Sequence, residues 1–474
     1  MKLILHISVI LLAALLGAGC IEDGFSTSPS DQPEFSVDTL DIGTVFTDEP
    51  TPTSRMLVYN RHSKSLSISD ISLSGRDASC FRLNIDGISG ERFADVEVRS
   101  RDSVFVFVEA TLPEAPGLEA DYEANIDFTT NGVRRSVVLA ARGRNVERLH
   151  AVTLSADTRF TAEKPYQIYD SLVVAPGATL TVEAGASLCF HDASRLVVRG
   201  TLVTEGTPEK PVSMSGDRTG NVVSDISFDI MSRQWTGVFF TPTSKHNSLV
   251  NTVIRNTVYG VTVSGDPEAG LVPDVAMLNC RLRNSGDLVL DAVHARVRAV
   301  GCEFAEGSAG LVSLHGGSHS FSHCTFANYY LFTVIGGPAI QFGHISDDGK
   351  TGLDDGSGAP YLAAEFSNSI IYGLGTDLSH GDLTGTDVTF RNCLLKSDGS
   401  DDDNFLLCLW NTDPLYYTVR DEYLFDYRLR PDSPAIGAAD PSLTPAEAAV
   451  DGYGLARGEA PDLGAYVFAP PTEE

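Results

Sequence analysis

VAMLNCRLRN at residues 275–284, VRAVGCEFAE at 297–306 and HSFSHCTFAN at 319–328 are one phrase written three times, with 22 residues between corresponding positions. Cys280, Cys302 and Cys324 share a slot, as do Leu282, Phe304 and Phe326. Asn284 and Asn328 share a third slot, which Glu306 fills in the middle copy. The phrase appears upstream as Leu249, Thr252, Ile254 and Asn256, and downstream as Phe366, Ser369 and Ile371 and again as Phe390, Cys393 and Leu395. A period of this length marks a solenoid. Apolar residues alternate over short runs bounded by Gly, Asn and Ser, which is strand periodicity, and no helical spacing competes with it. Three short strands and three turns fill a 22-residue coil. Coils stacked at the ~4.8 Å spacing of neighbouring strands put each slot over its counterpart. The expected fold is all-β with a right-handed parallel β-helix, its hand following the rule for crossovers between parallel strands. The cysteines then form one inward ladder, and Leu282, Phe304 and Phe326 a second. Asn256, Asn284 and Asn328 fall at bends, where Asn tolerates the left-handed conformation and stacked amides bond along the ladder.

Composition points the same way. The 474 residues suffice for about two to three domains. Hydrophobic residues make up 42%, enough for sizeable cores, and 43 Gly and 23 Pro with few candidate helices favour β structure. A formal net charge of −29 argues against nucleic acid and against an anionic membrane surface as partners. The cysteines lack the short paired spacing of a zinc site. Stacking brings their Cα atoms within disulfide range, yet parallel side chains suit the torsion poorly. They read as buried thiols acting as small apolar residues, with a disulfide or a metal as alternatives.

Residues 1–19 read as a signal peptide: Lys2 precedes an apolar run at 3–16 that is too short to span a bilayer. Gly17, Ala18, Gly19 and Cys20 resemble the lipobox of bacterial lipoproteins, although Gly17 stands where Leu is usual and Leu16 lies one step further back. The resemblance implies that Cys20 is lipidated and tethers the mature chain to a membrane; ordinary secretion is the alternative. Glu22 and Asp23 after the cysteine resemble the surface-export signals of Bacteroidetes-type lipoproteins, which implies an outer-membrane protein exposed at the cell surface. Residues 20–33 read as a flexible tether.

Residues 34–147 alternate in runs separated by turn residues at sandwich-like intervals. LDIGTVF at 40–46, LVYNRHSKSLSISDISLSG at 57–75, SVFVFVEA at 103–110 and SVVLAARG at 136–143 resemble immunoglobulin-like domains of the ASPM/SPD-2/Hydin type. That resemblance implies an Ig-like β-sandwich serving as a spacer or partner-binding module, with Cys80 alone and buried in it. The β-helix is expected over residues 148–412. GATLTVEAGASLCF at 177–190, LVVRGTLVTEGTPEKPV at 196–212 and QWTGVFF at 234–240 resemble pectate-lyase-like β-helix lipoproteins of Bacteroidetes. DYRLRPDSPAIGAADP at 426–441 resembles their C-terminal ends. Residues 413–474 are therefore expected to cap the last coil, because an open solenoid end is an unpaired sheet edge.

Parallel β-helices host polysaccharide lyases and hydrolases, so catalytic patterns matter. His315-Gly316-Gly317, Asp347-Asp348 and Asn411-Thr412-Asp413 resemble polygalacturonase fragments, but in reverse order and without Arg-Ile-Lys, and no catalytic residue is assigned. The ladder breaks at residues 336–360, where Asp347, Asp348, Asp354 and Asp355 lie on a Gly-rich loop. Their oxygens suit Ca²⁺, and Lys350 or His344 could serve a lyase as base; a solvated acidic loop is the plainer reading. Asp398, Asp401, Asp402 and Asp403 form a second acidic stretch. Trp235, Tyr329, Tyr330 and Tyr361, with Tyr372 and Trp410, are candidates for a sugar-stacking strip, packing being the plainer alternative. The expected function is a surface-anchored lipoprotein with a non-catalytic binding or structural role, a polysaccharide or other glycan being the candidate ligand. A polysaccharide lyase and an adhesin are the alternatives, and the break at 336–360 is the expected seat of specificity.

Overall fold

A computed structural model describes residues 24–223, 226–342, 362–379, 383 and 387–470. Among them every regular element is a β-strand or a short 3₁₀ turn. The chain divides into two compact units, the first ending at Asn145 and the second starting at Val146.

The first unit packs a five-stranded sheet against a six-stranded one. Val58, Phe81, Val106 and Val108 from one sheet and Ile68, Ile126, Phe128, Val137 and Leu139 from the other share one buried core. Glu119–Thr130 and Val133–Arg144 form its longest antiparallel pair. Between them Asn131 and Gly132 have φ of 50° and 78°, the Asn-Gly hairpin chemistry that matches strand twist. Glu34–Phe35 and Thr39–Phe46 join different sheets. Cys80 is half-buried rather than buried, at the end of a 3₁₀ turn on the sandwich rim.

The second unit is a parallel β-helix. One face runs from Thr158–Phe160 through nine successive parallel pairings to Phe405–Leu406. A second face runs from the end of Glu147–Leu154 through the end of Tyr166–Val174 to Leu378–Ser379, and a third from the start of Glu147–Leu154 through the start of Tyr166–Val174 to Leu394–Leu395. Register follows the repeated phrase: Met277 pairs with Ala299 and that with Phe321, while Leu282 pairs with Phe304 and that with Phe326. Side chains alternate across a strand, so these positions point inward and are buried.

Stacking in register builds aromatic columns. Phe321, Phe366, Phe390 and Phe405 lie with successive ring centroids 4.9, 4.6 and 4.9 Å apart and nearly parallel planes. Phe304 and Phe326 stack likewise at 5.1 Å. Cys280, Cys302, Cys324 and Cys393 are fully buried free thiols in the core. The Cys280 N–H approaches Cys302 Sγ at 3.4 Å, and burial pushes the Cys280 and Cys302 thiols well above their ordinary range. Ser369 takes the next slot, its Oγ accepting from the Cys324 N–H.

The left-handed turn sits one residue before the cysteine slot. Asn251, Asn279, Gly301, His323, Asn368 and Asn392 all have φ between 42° and 65°. Gly301 is needed for space as well as for φ, since a Cβ there would stand 2.2 Å from Asn279 Oδ1. At the far end of the same strands Asn256, Asn284 and Glu306 form a second left-handed column. Asn328 does not join it: its amide donates to the Gly307 carbonyl instead.

The C-terminal segment braces the flank of the third face. Trp410 packs on Phe405 near the last coil. Asn392, Asn368 and Asn279 then donate to the carbonyls of Ala438, Asp440 and Val450 in order along the solenoid. Outward-facing Ala305, Ala327, Ile370 and Leu394 are sealed beneath Tyr416, Tyr427, Leu429, Leu463 and Tyr466. Beyond the expected cap over the last coil, the segment's contacts run along the side of the solenoid. Ile340–Phe342 pairs in parallel within the second face, so this part of the expected break at 336–360 is solenoid strand.

His323 ties this brace to the turn column. Its Nδ1 donates to the Asp462 carbonyl and its Nε2 lies 2.9 Å from Thr444 Oγ1. Burial, aided by Arg457, lowers its pKa to about 3; burial lowers that of His319 to about 4. An unfolded imidazole takes up its proton near 6.5, so stability is full above that pH and falls as pH drops toward 3. Melting temperature should fall from pH 7 to pH 4, and His323→Asn, the residue of neighbouring turns, should reduce that fall measured by calorimetry. Phe366→Ala, which leaves a gap between Phe321 and Phe390, should cost about 3–5 kcal/mol in denaturant unfolding.

Candidate functional site

The outward positions of the third face carry charge where the inward ones carry the core. In Arg281–Ser285, Leu282 points inward while Arg281 and Arg283 point out. Register places Arg283 beside Arg255, and Arg281 between Val253 and Glu303. Like charges on adjacent strands repel, so this arrangement needs compensation. Glu303 supplies part of it: fully buried, it takes Arg283 Nε at 2.5 Å and Nη2 at 2.8 Å. Tyr466 OH donates to the same carboxylate at 2.5 Å. Asp229, on an exposed turn, takes Arg255 at 3.0 Å. Arg281 meets the Tyr453 ring and hydroxyl.

Two segments wall this surface. The 3₁₀ turn Phe228–Ile230 is held by the left-handed column: the Asn256 amide donates to the carbonyls of Phe228, Asp229 and Met231, and Asn284 to that of Ile230. On the other side stand Tyr423 and Phe425 of the C-terminal brace. Between them lies a groove of about 390 Å³ over Ser213, Val253, Arg255, Arg281, Arg283 and Glu306.

Glu306 occupies the asparagine slot of the middle repeat, and there its carboxyl meets the brace. Tyr427 OH donates to its Oε1, while Oε2 has no partner. Burial pushes its pKa up to about 8; Glu303 adds to the rise and Arg283 opposes it. The group is therefore neutral at neutral pH. Its raised pKa gives stability that is full below the ordinary 4.5 and lost as pH rises through about 8. Glu306→Gln should raise the melting temperature at pH 9 and leave it nearly unchanged at pH 4, as thermal scans at both pH values would show.

None of the anticipated residues that are described lines this groove. Cys20, Asp347, Asp348, Asp354, Asp355 and Tyr361, with His344 and Lys350, lie outside the described residues. Trp235 cannot belong to a sugar-stacking strip: it is fully buried, stacks on Phe190 at 3.9 Å and donates to the Arg255 carbonyl. Tyr330 is buried with its hydroxyl against Ser232, and Tyr329 packs into the brace. Trp235 and Tyr330 fill interior volume and have no face for a ligand, while Tyr329 is half-buried under the brace. The second acidic stretch is turn chemistry: Asp401 accepts from the Leu407 and Cys408 N–H groups and from Trp410 Nε1. No cluster of three His, Cys, Asp or Glu suited to a metal occurs among the described residues. The groove itself had one trace in the sequence, the glutamate in the asparagine slot. The arginines carry no motif.

Comparison with known proteins adds no identity. No protein-family profile and no curated protein matches the chain. Among solved structures it is similar to a Porphyromonas gingivalis protein of unknown function, with 12% identity, TM-score 0.18, 24% of this chain and 48% of that one. A family 123 glycoside hydrolase from Clostridium perfringens matches at 9% identity and TM-score 0.18, over 23% of this chain and 25% of that one. The ASH/PapD-like domain of human CEP192 matches at 14% identity and TM-score 0.17, over 26% of this chain and 89% of that one. The chain spans less than half the length of the first two. Likenesses at these scores carry no argument for fold or function.

Proposed function

We propose that the protein is a lipoprotein of a bacterial outer membrane, anchored through Cys20 and displayed at the cell surface, with a glycan-binding β-helix. In this reading the first unit is an immunoglobulin-like spacer of the ASPM/SPD-2/Hydin type, and the second a right-handed solenoid of the pectate-lyase-like kind. The anchor is supported by the apolar run at 3–16 and the small residues before Cys20. Binding is supported by one observation: a groove that combines arginine donors with the aromatic rings of Tyr423 and Phe425 on an exposed solenoid face. Such concave sites with a few convergent polar groups are where ligands bind, and rings beside donors suit sugars, whose C–H faces stack while hydroxyls bond.

A lyase remains the second reading, favoured by Glu306, a neutral carboxyl in the groove wall able to pass a proton. A glycan array probed with the full chain, run beside a turnover assay on acidic polysaccharides, separates the two. Retention of glycans without product release is expected. Release of unsaturated oligosaccharides would replace the binding role with the enzyme, and retention of no glycan would favour an adhesin. Cys20→Ala should abolish lipid labelling and membrane retention in cells.

A further inference from the structure

We propose that the first unit docks a partner protein on the outer face of its five-stranded sheet, through a segment that carries aliphatic or aromatic side chains flanked by Asp or Glu. The surface belongs to the first unit alone and does not depend on the glycan-binding reading of the second.

The two outer faces of the sandwich differ. On the six-stranded sheet four arginines are neutralised in place: Arg92 holds Asp70, Arg134 holds Asp127, Arg142 holds Asp121 and Arg144 holds Glu119. On the five-stranded sheet the usual alternation breaks. Ser103–Ala110 is its middle strand, and Val106, Val108 and Ala110 point into the core. Phe105 and Phe107 therefore face out, where an antiparallel strand covered on one side carries polar residues. Register sets Leu57 beside Phe105 and Arg55 beside Phe107. The two phenylalanine rings stack at 5.8 Å, and Phe105 is 42% exposed. Contiguous exposed apolar surface of this kind marks an interaction site.

Charge decides the occupant. Arg55 lies over the Phe105 ring at 5.7 Å, and Arg61 over the Tyr59 ring at 4.2 Å. A guanidinium resting on a ring keeps N–H donors for an acceptor. Arg61 has Glu34 at 3.4 Å. No carboxylate among the described residues lies within ion-pair distance of Arg55 or Arg82, although register sets Arg82 beside Glu109. Arg55, Arg61 and Arg82 thus outnumber Glu34 and Glu109 on this face, in a chain of net charge −29. A second copy fits poorly, because a two-fold pairing of the face with itself sets like charge on like charge. Apolar side chains flanked by carboxylates match both features, and arginine with aromatic residues is the composition of interface anchors.

The test pans a phage-displayed library of random peptides on the immobilised full chain at physiological salt, where charges beyond ~8 Å are screened. The selected peptides are titrated against wild type, Phe105→Ser and Arg55→Glu. They are expected to combine Leu, Ile, Phe or Trp with Asp or Glu, and each substitution should weaken them tenfold or more at unchanged melting temperature. Should Phe105→Ser lower the melting temperature, Arg55→Glu, at an exposed side chain, carries the test. Exchanging the selected Asp and Glu for Asn and Gln should weaken binding to wild type and not to Arg55→Glu. A selection that returns nothing held above the Phe105→Ser level would overturn the assignment, as would basic or uncharged sequences or equal binding by all three proteins. A dimer in sedimentation that Phe105→Ser dissolves would overturn it in favour of a second copy. Array glycans lost on Phe105→Ser would overturn it in favour of a saccharide.

Discussion

The in-register stacking of parallel strands is the constraint on which the second unit depends. Successive coils stand one strand spacing apart, ~4.8 Å, and that distance recurs in everything built on it. It sets the separations in the phenylalanine column from Phe321 to Phe405. It brings the Cys280 N–H to Cys302 Sγ. It also forces each column to hold residues that tolerate a copy of themselves directly above. Phenylalanine does so by parallel stacking, cysteine by being small and apolar, and asparagine by bonding its amide to the next, as Asn392 does with Asn368 Oδ1 at 2.9 Å. Charges tolerate it worst, which is why Arg255 beside Arg283 stands out.

Around that stack the protein builds a second apolar layer. The outer side of the third face would ordinarily be wet, yet Ala305, Ala327, Ile370 and Leu394 lie under the aromatic residues of the C-terminal brace. The brace is fastened by the turn columns, whose side chains point away from the solenoid and donate to its carbonyls. One column therefore serves two purposes: its backbone turns the coil, and its side chains dock the tail. The buried triad of Arg283, Glu303 and Tyr466 lies where this layer ends and the groove begins. Burial there makes each charge expensive unless paired, and it holds Glu306 neutral while leaving one of its oxygens unpartnered.

Much of the solenoid was legible because its physics is local and repeated. The phrase around Cys280, Cys302 and Cys324 predicts the pairings found for Val275, Met277 and Leu282 with their counterparts. The turn was placed less well. Asn256 and Asn284 take the left-handed conformation as expected, but Asn328 does not, and the more regular column, Asn251 to Asn392, precedes the cysteine slot. Which asparagine bends the chain depends on where the strand pairing stops, and the pattern of residue types does not mark that point. The aromatics misled for a related reason. Trp235 and Tyr330 have the chemistry of a sugar platform, but burial decides whether a ring offers a face, and burial follows from which segment packs over it.

By itself, then, the sequence determined the coil: a period-two alternation and a repeating turn suffice to specify stacked strands, because each coil needs only its neighbours. The walls of the groove were decided by the tertiary structure. Arg255, Arg281 and Arg283 come from adjacent coils, Asp229 from an irregular turn, and Tyr423, Phe425 and Tyr427 from a segment more distant in sequence. Arg255 and Arg283 share a slot of the repeat, but Asp229 and the three aromatic residues have no spacing that a repeat could encode. The charge state of Glu306 belongs to the same class, since a carboxyl is neutral only where the fold removes water from it.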